Sequence, residues 1–121
     1  MKQRVFKLKA NEIKPVAPGR GHCIATDLIT VHGERVGYMY RERPDPANET
    51  DSGWHFFSGM EDDDYANNPD NLQFYDVNTI ANYDPEIIPF LDAPIPSAFA
   101  RDSETGEFVE VEAPSGEEPD A

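Results

Sequence analysis

Apolar residues in this chain come in short bursts, separated by polar stretches rich in Pro, Gly, Asn and Asp. Val5-Phe6-Lys7-Leu8-Lys9 alternates weakly, as a short strand would, and Pro15, Pro18, Gly19 and Gly21 then mark an irregular connection. From Cys23 to Val31 and from Arg35 to Arg41 run two β-prone stretches rich in Ile, Val, Thr and Tyr. They flank His32-Gly33 and predict a hairpin, because glycine tolerates the positive φ of a tight turn. Alternation puts Val36, Tyr38 and Tyr40 on one face of the second strand and Gly37, Met39 and Arg41 on the other.

Glu42 to Gly53 holds Pro44, Pro46, Asn48 and Asp51 and nothing apolar larger than Ala47, so it reads as an exposed loop. Trp54 to Phe57 is apolar and short, the pattern of a buried strand. Asn68-Pro69-Asp70-Asn71 is a turn leading into a strand at Leu72 to Tyr75. Asp76 caps a predicted helix through Tyr83, with Val77, Ile80 and Ala81 at helical spacing. Asp84 and Pro85 begin a second short helix as cap and first residue. Ser97 to Arg101 is a further strand, and Phe108 to Glu112 has the pattern of an edge strand.

These elements predict an α+β fold, a single domain with a twisted, mainly antiparallel sheet and short flanking helices. The chain divides into a basic N-terminal arm (1–21), the α+β domain (22–101) and an acidic C-terminal tail (102–121). The last residues of that tail, APSGEEPDA, lack the apolar content to order themselves.

Charge sharpens this division. The net charge of −14 combines +5 in residues 1–21, −11 in 22–101 and −8 in 102–121. Such a field repels nucleic-acid phosphates and favours a basic protein partner, with an attraction that salt screens. The N-terminal residues contain no continuous apolar run, which argues against a signal peptide or a membrane span there. The lone Cys23 cannot form an intramolecular disulfide, so a reducing, cytoplasmic setting is expected. Nothing in the pattern indicates a homo-oligomer.

Glu61-Asp62-Asp63-Asp64 is the densest acid run. Ser58 and Glu61 have capping-box spacing, and Asp62 to Asp64 then adjoin the first helical turn, where acids meet the positive end of the helix dipole. A calcium loop is excluded by spacing, and consecutive helical residues diverge by about 100°, so the three aspartates do not converge on one ion. No nucleophile elbow, zinc-ligand spacing, P-loop or dinucleotide motif occurs, and neither a metal nor a cofactor is implied. Cys23 reads as inert core, and Trp54, Phe56, Phe57, Tyr65, Phe74 and Tyr75 read as the sheet's core before they read as a ligand platform. Arg41 needs partners. An ion pair with Asp51 or an acid of the 61–64 run is favoured over an anchor for an anionic ligand.

Several motifs follow one another in a familiar order: GYMYRE (Gly37 to Glu42), DSGW (Asp51 to Trp54), FFSG with the acid run and Tyr65, NPDN (Asn68 to Asn71), YDVNTIANYDP (Tyr75 to Pro85), IIPFLDAP (Ile87 to Pro94) and Ser97-Ala98-Phe99-Ala100-Arg101. Across residues 22–101 the chain resembles the bacterial immunity-protein-thirty-three-like family, grouped with the immunity proteins of polymorphic-toxin systems. It departs from that pattern at Pro96, where Gly is expected, and at Cys23-Ile24-Ala25-Thr26, where Ser is more usual. The resemblance implies a cytoplasmic, non-enzymatic inhibitor that binds and blocks a toxin.

The expected interface joins the loop Asp45 to Asp51 with Glu61 to Asp64, organised from the sheet by Arg41. Asp45, Glu49, Asp51, Glu61, Asp62, Asp63 and Asp64 are expected to face the basic partner, and an exposed part of the Trp54 or Tyr65 ring to supply apolar contact. The alternatives are a small metal-dependent hydrolase using the same acids with His55, or a module that binds a metabolite in an aromatic pocket.

Overall fold

The computed structural model describes residues 5–44, 46–47 and 49–113. Among the described residues, six strands form one sheet in the order β4-β1-β3-β2-β5-β6. They are β1 (His22–Thr26), β2 (Tyr38–Arg41), β3 (Asp51–Phe57), β4 (Leu72–Asp76), β5 (Ser97–Arg101) and β6 (Phe108–Val111). β1 and β3 run parallel, and the other four pairings are antiparallel. Three short helices, α1 (Asp27–Thr30), α2 (Asp63–Ala66) and α3 (Val77–Tyr83), and 3-10 turns at Ala10–Glu12, Pro69–Asn71 and Pro85–Phe90 complete an α+β domain.

The hairpin expected around His32-Gly33 is absent. β1 ends at Thr26, the chain coils into α1, and β1 pairs with β3 and β4 instead of β2. Gly33 does adopt a positive φ, +79°, but at the end of a helix: its N–H bonds back to the Ile29 carbonyl and that of Glu34 to the Leu28 carbonyl. Ile29 and Thr30 favour strands by propensity, yet full burial holds them in the helical turn.

β3 extends further back than expected and takes in Asp51, Ser52 and Gly53, because pairing with β1 and β2 draws the end of the polar loop into the sheet. Asp76 caps α3 as expected by accepting from the Asn78 N–H. Asp84 likewise caps the turn at Pro85–Phe90, which is 3-10 and contains Pro89. The stretch around Val5 to Lys9 is irregular, and the chain from Lys7 to Ala17 lies along α3. Asn78 and Asn82, one helical turn apart, hold it there: Asn78 Oδ1 accepts from Val16 and Ala17, Asn82 Oδ1 accepts from Lys14, and both amide groups donate to the Lys14 carbonyl. β6 adds to β5 at one edge of the sheet, and residues 114–121 fall outside the described part of the chain.

Strand alternation splits the sheet into two unlike faces. Cys23, Ala25, Met39, Trp54, Phe56 and Phe99 point to one side, where Ile29 of α1, Val77, Ile80 and Ala81 of α3, and Ile87 and Leu91 close the core over them. Val36, expected on the same face as Tyr38 and Tyr40, precedes β2 and is buried in this core. At its margin Arg101 and Asp84, both almost fully buried, form an ion pair of 2.6 Å.

Candidate functional site

The opposite face of the sheet carries Ile24, Tyr38, Tyr40, His55, Phe57 and Phe74, six half-buried or exposed side chains from β1, β2, β3 and β4. None of the core helices lies over it, because those helices take their apolar residues to the other side. Four of its rings make a continuous row. Tyr40 stacks on His55 at 4.5 Å and lies 6.1 Å from Phe57 at a 12° interplanar angle, and Tyr38 stands 5.9 Å from Tyr40 and 6.1 Å from Phe57.

Carboxylates bound the row at both ends. Glu42 Oε2 meets His55 Nε2 at 2.6 Å. Past the end of β3, Glu61 folds back into the sheet margin: Oε2 accepts from Thr26 Oγ1 at 2.6 Å and from the Ser58 N–H at 2.9 Å, and Oε1 accepts from the Gly59 N–H at 3.0 Å. Burial by itself would raise the Glu61 carboxyl, but these hydrogen bonds favour the ionised form and hold it below the ordinary glutamate value. Between the rings and Glu61 lies a cavity of about 380 Å³, lined by Tyr38, Tyr40, Phe57, Gly59, Glu61 and Ala66.

The capping expectation for Ser58 and Glu61 is therefore half right. Glu61 does reach back to the Ser58 N–H, but Ser58 Oγ accepts from Met60, and α2 starts later with Asp62 as its cap, accepting from the Tyr65 N–H. Asp63 and Asp64 stand exposed in the first turn of α2, and Tyr65 is half-buried.

Arg41 finds partners of another kind than expected. Its Nε donates to the Ser52 carbonyl at 3.0 Å and its Nη1 to the Ala93 carbonyl at 2.8 Å, and its guanidinium lies 5.7 Å from the Trp54 ring. Backbone carbonyls, not Asp51 or the 61–64 acids, take these donors, because alternation points Arg41 to the core side of β2. Burial lowers its pKa from the ordinary arginine value; Asp92 acts against that shift and Arg20 with it.

Trp54 corrects a second expectation. It is 2% exposed, stacked 5.8 Å from Phe56 with its Nε1 donating to the Leu91 carbonyl, so it offers no contact surface. Phe74, read as core, is 60% exposed because it pairs with Ile24 on the uncovered face. Glu49 is exposed, Asp51 is half-buried and accepts from the Gly53 N–H, and Asp45 lies outside the described residues. Six strand steps separate Asp51 from Phe57, about 20 Å, so the two expected acid groups sit at opposite ends of β3 with the aromatic row between them.

The nucleophile question closes on burial. Cys23 is fully buried, and burial, reinforced by the charges of Asp76 and Asp51, pushes its thiol well up, which leaves it protonated and weakly nucleophilic. His22 and His55 engage Thr50 and Glu42 respectively, and among the described residues no group of three or more His, Cys, Asp or Glu is placed to hold a metal ion. Nor is any described helix long and apolar enough to cross a membrane.

The model of the Immunity protein Imm33 domain matches residues 23–112. The chain belongs to the Imm33 immunity-protein family. The match takes in the sheet from the second residue of β1 through β6, and so extends past the C-terminal end of the 22–101 resemblance read from the motifs. Comparison with curated proteins and with solved structures finds no match. Membership in Imm33 implies an immunity-type role and a protein toxin as partner, in a family that is generally non-enzymatic.

The Imm33 motifs acquire structural reasons here. A side chain on Gly37 of GYMYRE would run into the Ser58 carbonyl, and one on Gly53 of DSGW into the Glu42 carbonyl, so both glycines allow backbones to approach closely beside the aromatic row. Of the row, alternation in GYMYRE puts Tyr38 and Tyr40 on one face, whereas Phe57, read as core, stands half-buried beside them on the side of the sheet away from the core. What sequence reasoning missed was that, among the described residues, the helices of the core all lie on the other side of the sheet and only the end of α2, at Ala66, borders this face.

Proposed function

We propose that this Imm33 protein neutralises a toxin by binding it in the cytoplasm, as an inhibitor and not by catalysis, and that the toxin presents a basic surface. The observation that carries this reading is the match to the immunity-protein domain over residues 23–112. The chain's net charge of −14 supports a basic partner, since opposite fields speed encounter and penalise wrong partners. In this reading Glu49 and Asp51 at one end of β3, and Asp62, Asp63, Asp64 and Tyr65 beyond the other, meet lysines and arginines of the toxin. Arg41 and Trp54 act from beneath, Arg41 tying the end of β2 to Ser52 of β3 and Trp54 tying β3 to the Leu91 carbonyl.

Affinity capture of the tagged protein from its native cytoplasm, at low and high salt, tests the proposal. A single basic protein recovered in stoichiometric amount, and weakened as salt rises, is the expected result; recovery of no specific partner at either salt would overturn it. With that partner in hand, replacing Asp62, Asp63 and Asp64 by Asn should slow association and flatten its salt dependence. Unchanged kinetics would remove α2 from the interface.

A further inference from the structure

We propose that the cavity between the aromatic row and Glu61 is the receptor for an arginine side chain of the partner. This inference rests on the toxin-binding reading and specifies the group that enters. Two features of the cavity point the same way. Its wall is aromatic: Tyr38, Tyr40 and Phe57 present a half-buried patch of rings on a sheet face that no core helix among the described residues covers. Its end is anionic, because Glu61 is held ionised by Thr26, Ser58 and Gly59.

A purely apolar occupant would cover the rings but strand that carboxylate away from water, and an anion would meet it with like charge. A lysine would satisfy the charge as a compact, strongly hydrated ammonium. An arginine satisfies both parts, since its planar guanidinium stacks on ring faces and points N–H donors at a carboxylate. Glu61 is half-buried, so its carboxylate is not sealed from an entering guanidinium.

The surroundings agree in sign. Asp62, Asp63 and Asp64 lie just beyond Glu61, and Ala66 of the same helix forms the cavity wall. Glu42 closes the far end of the row through His55. Charge complementarity therefore favours a basic protein segment over a second copy of this chain, whose own net charge is −14.

The test needs no toxin. The isotope-labelled full chain is titrated with N-acetyl-arginine-N-methylamide and, in parallel, with the norleucine analogue, while ring resonances of Tyr38, Tyr40 and Phe57 and amide resonances of Ser58 and Gly59 are followed by NMR. The expected result is a saturable shift of these resonances by the arginine compound, with much weaker binding of the norleucine one. Phe57→Leu should weaken binding about two- to fivefold and Glu61→Gln about tenfold. Asn at Asp62, Asp63 and Asp64 together should leave the ring shifts in place. Dispersed, wild-type-like spectra of both single variants show that the fold is retained.

Equal binding of the two compounds would overturn the arginine assignment in favour of a plain apolar groove. So would shifts confined to Asp62–Asp64 with both single variants binding as wild type. Movement of the same resonances with protein concentration alone, with a doubled sedimenting mass, would assign the face to self-association and overturn the inference as well. Each of these outcomes leaves toxin capture to be judged separately, and a failed capture does not alter the titration.

Discussion

Asp84 carries more of the fold than its position in a short turn suggests. One oxygen accepts from the Val36 N–H at 2.9 Å and from Arg101 Nη2 at 2.6 Å, and the other from the Glu86 N–H at 3.1 Å. Arg101 in turn donates to the Val36 and Gly106 carbonyls and to Glu86, with its guanidinium 4.3 Å from the Phe108 ring. The pair thus ties the approach to β2, the β5–β6 hairpin and the turn after α3 into one network. Side-chain exposure is only 7% for Arg101 and 4% for Asp84. Asp84→Ala leaves a buried guanidinium and a buried amide without their acceptor, a loss of about 3–5 kcal/mol for a broken buried pair.

Taking about 4 kcal/mol, and an unfolding entropy of roughly 2.1 cal/mol/K per residue over 121 residues, or about 0.25 kcal/mol/K, the melting temperature should fall by about 16 °C. Trp54, the single tryptophan and 2% exposed, reports unfolding by its emission shift in thermal and urea titrations. Glu86→Ala is the matched control: Glu86 bonds the same arginine but is 67% exposed, so its loss should cost about 0–1 kcal/mol. An Asp84→Ala protein within about 1 kcal/mol of the parent, or a Glu86→Ala protein destabilised as much as Asp84→Ala, would refute the assignment of this network to the interior.

Gly37→Ala should destabilise the protein by about 2 kcal/mol or more, since the added methyl meets the Ser58 backbone and not a side chain that can turn away; urea unfolding measures it. Asn78→Ala removes an acceptor for the Val16 and Ala17 amides and a donor to Lys14, so those two amides should exchange hydrogen faster while the amides of β1 and β3 keep their protection. Glu61 has a folded-state pKa below its unfolded value, so it contributes stability above the ordinary glutamate range that is lost as pH falls through the depressed value. Glu61→Gln should therefore flatten the acid limb of the stability curve, and an acid limb identical to the parent's would contradict the hydrogen-bonded placement of that carboxylate.

What the sequence determined alone is what depends on near neighbours. Asp76 and Asp84 announce their helical turns because a cap needs only an acceptor and an N–H two residues on. Alternation separated Tyr38 and Tyr40 from Met39 and Arg41, because the period of two belongs to the strand itself. The ordered motifs marked the Imm33 family.

What only the tertiary structure decided rests on contacts between distant residues. Cys23 to Val31 holds β-branched residues that favour a strand throughout, and only the burial of Ile29 against the core makes its second half a helix. Alternation shows that Arg41 and Tyr40 face apart, but not which side the helices cover; that choice buries Trp54, gives Arg41 two backbone carbonyls, and leaves the aromatic row open. Loop length says nothing of where Asp51 and Glu61 end up either. Pairing of β3 with both β1 and β2 holds it extended, and an extended strand keeps the two acid groups at opposite ends of the face between them.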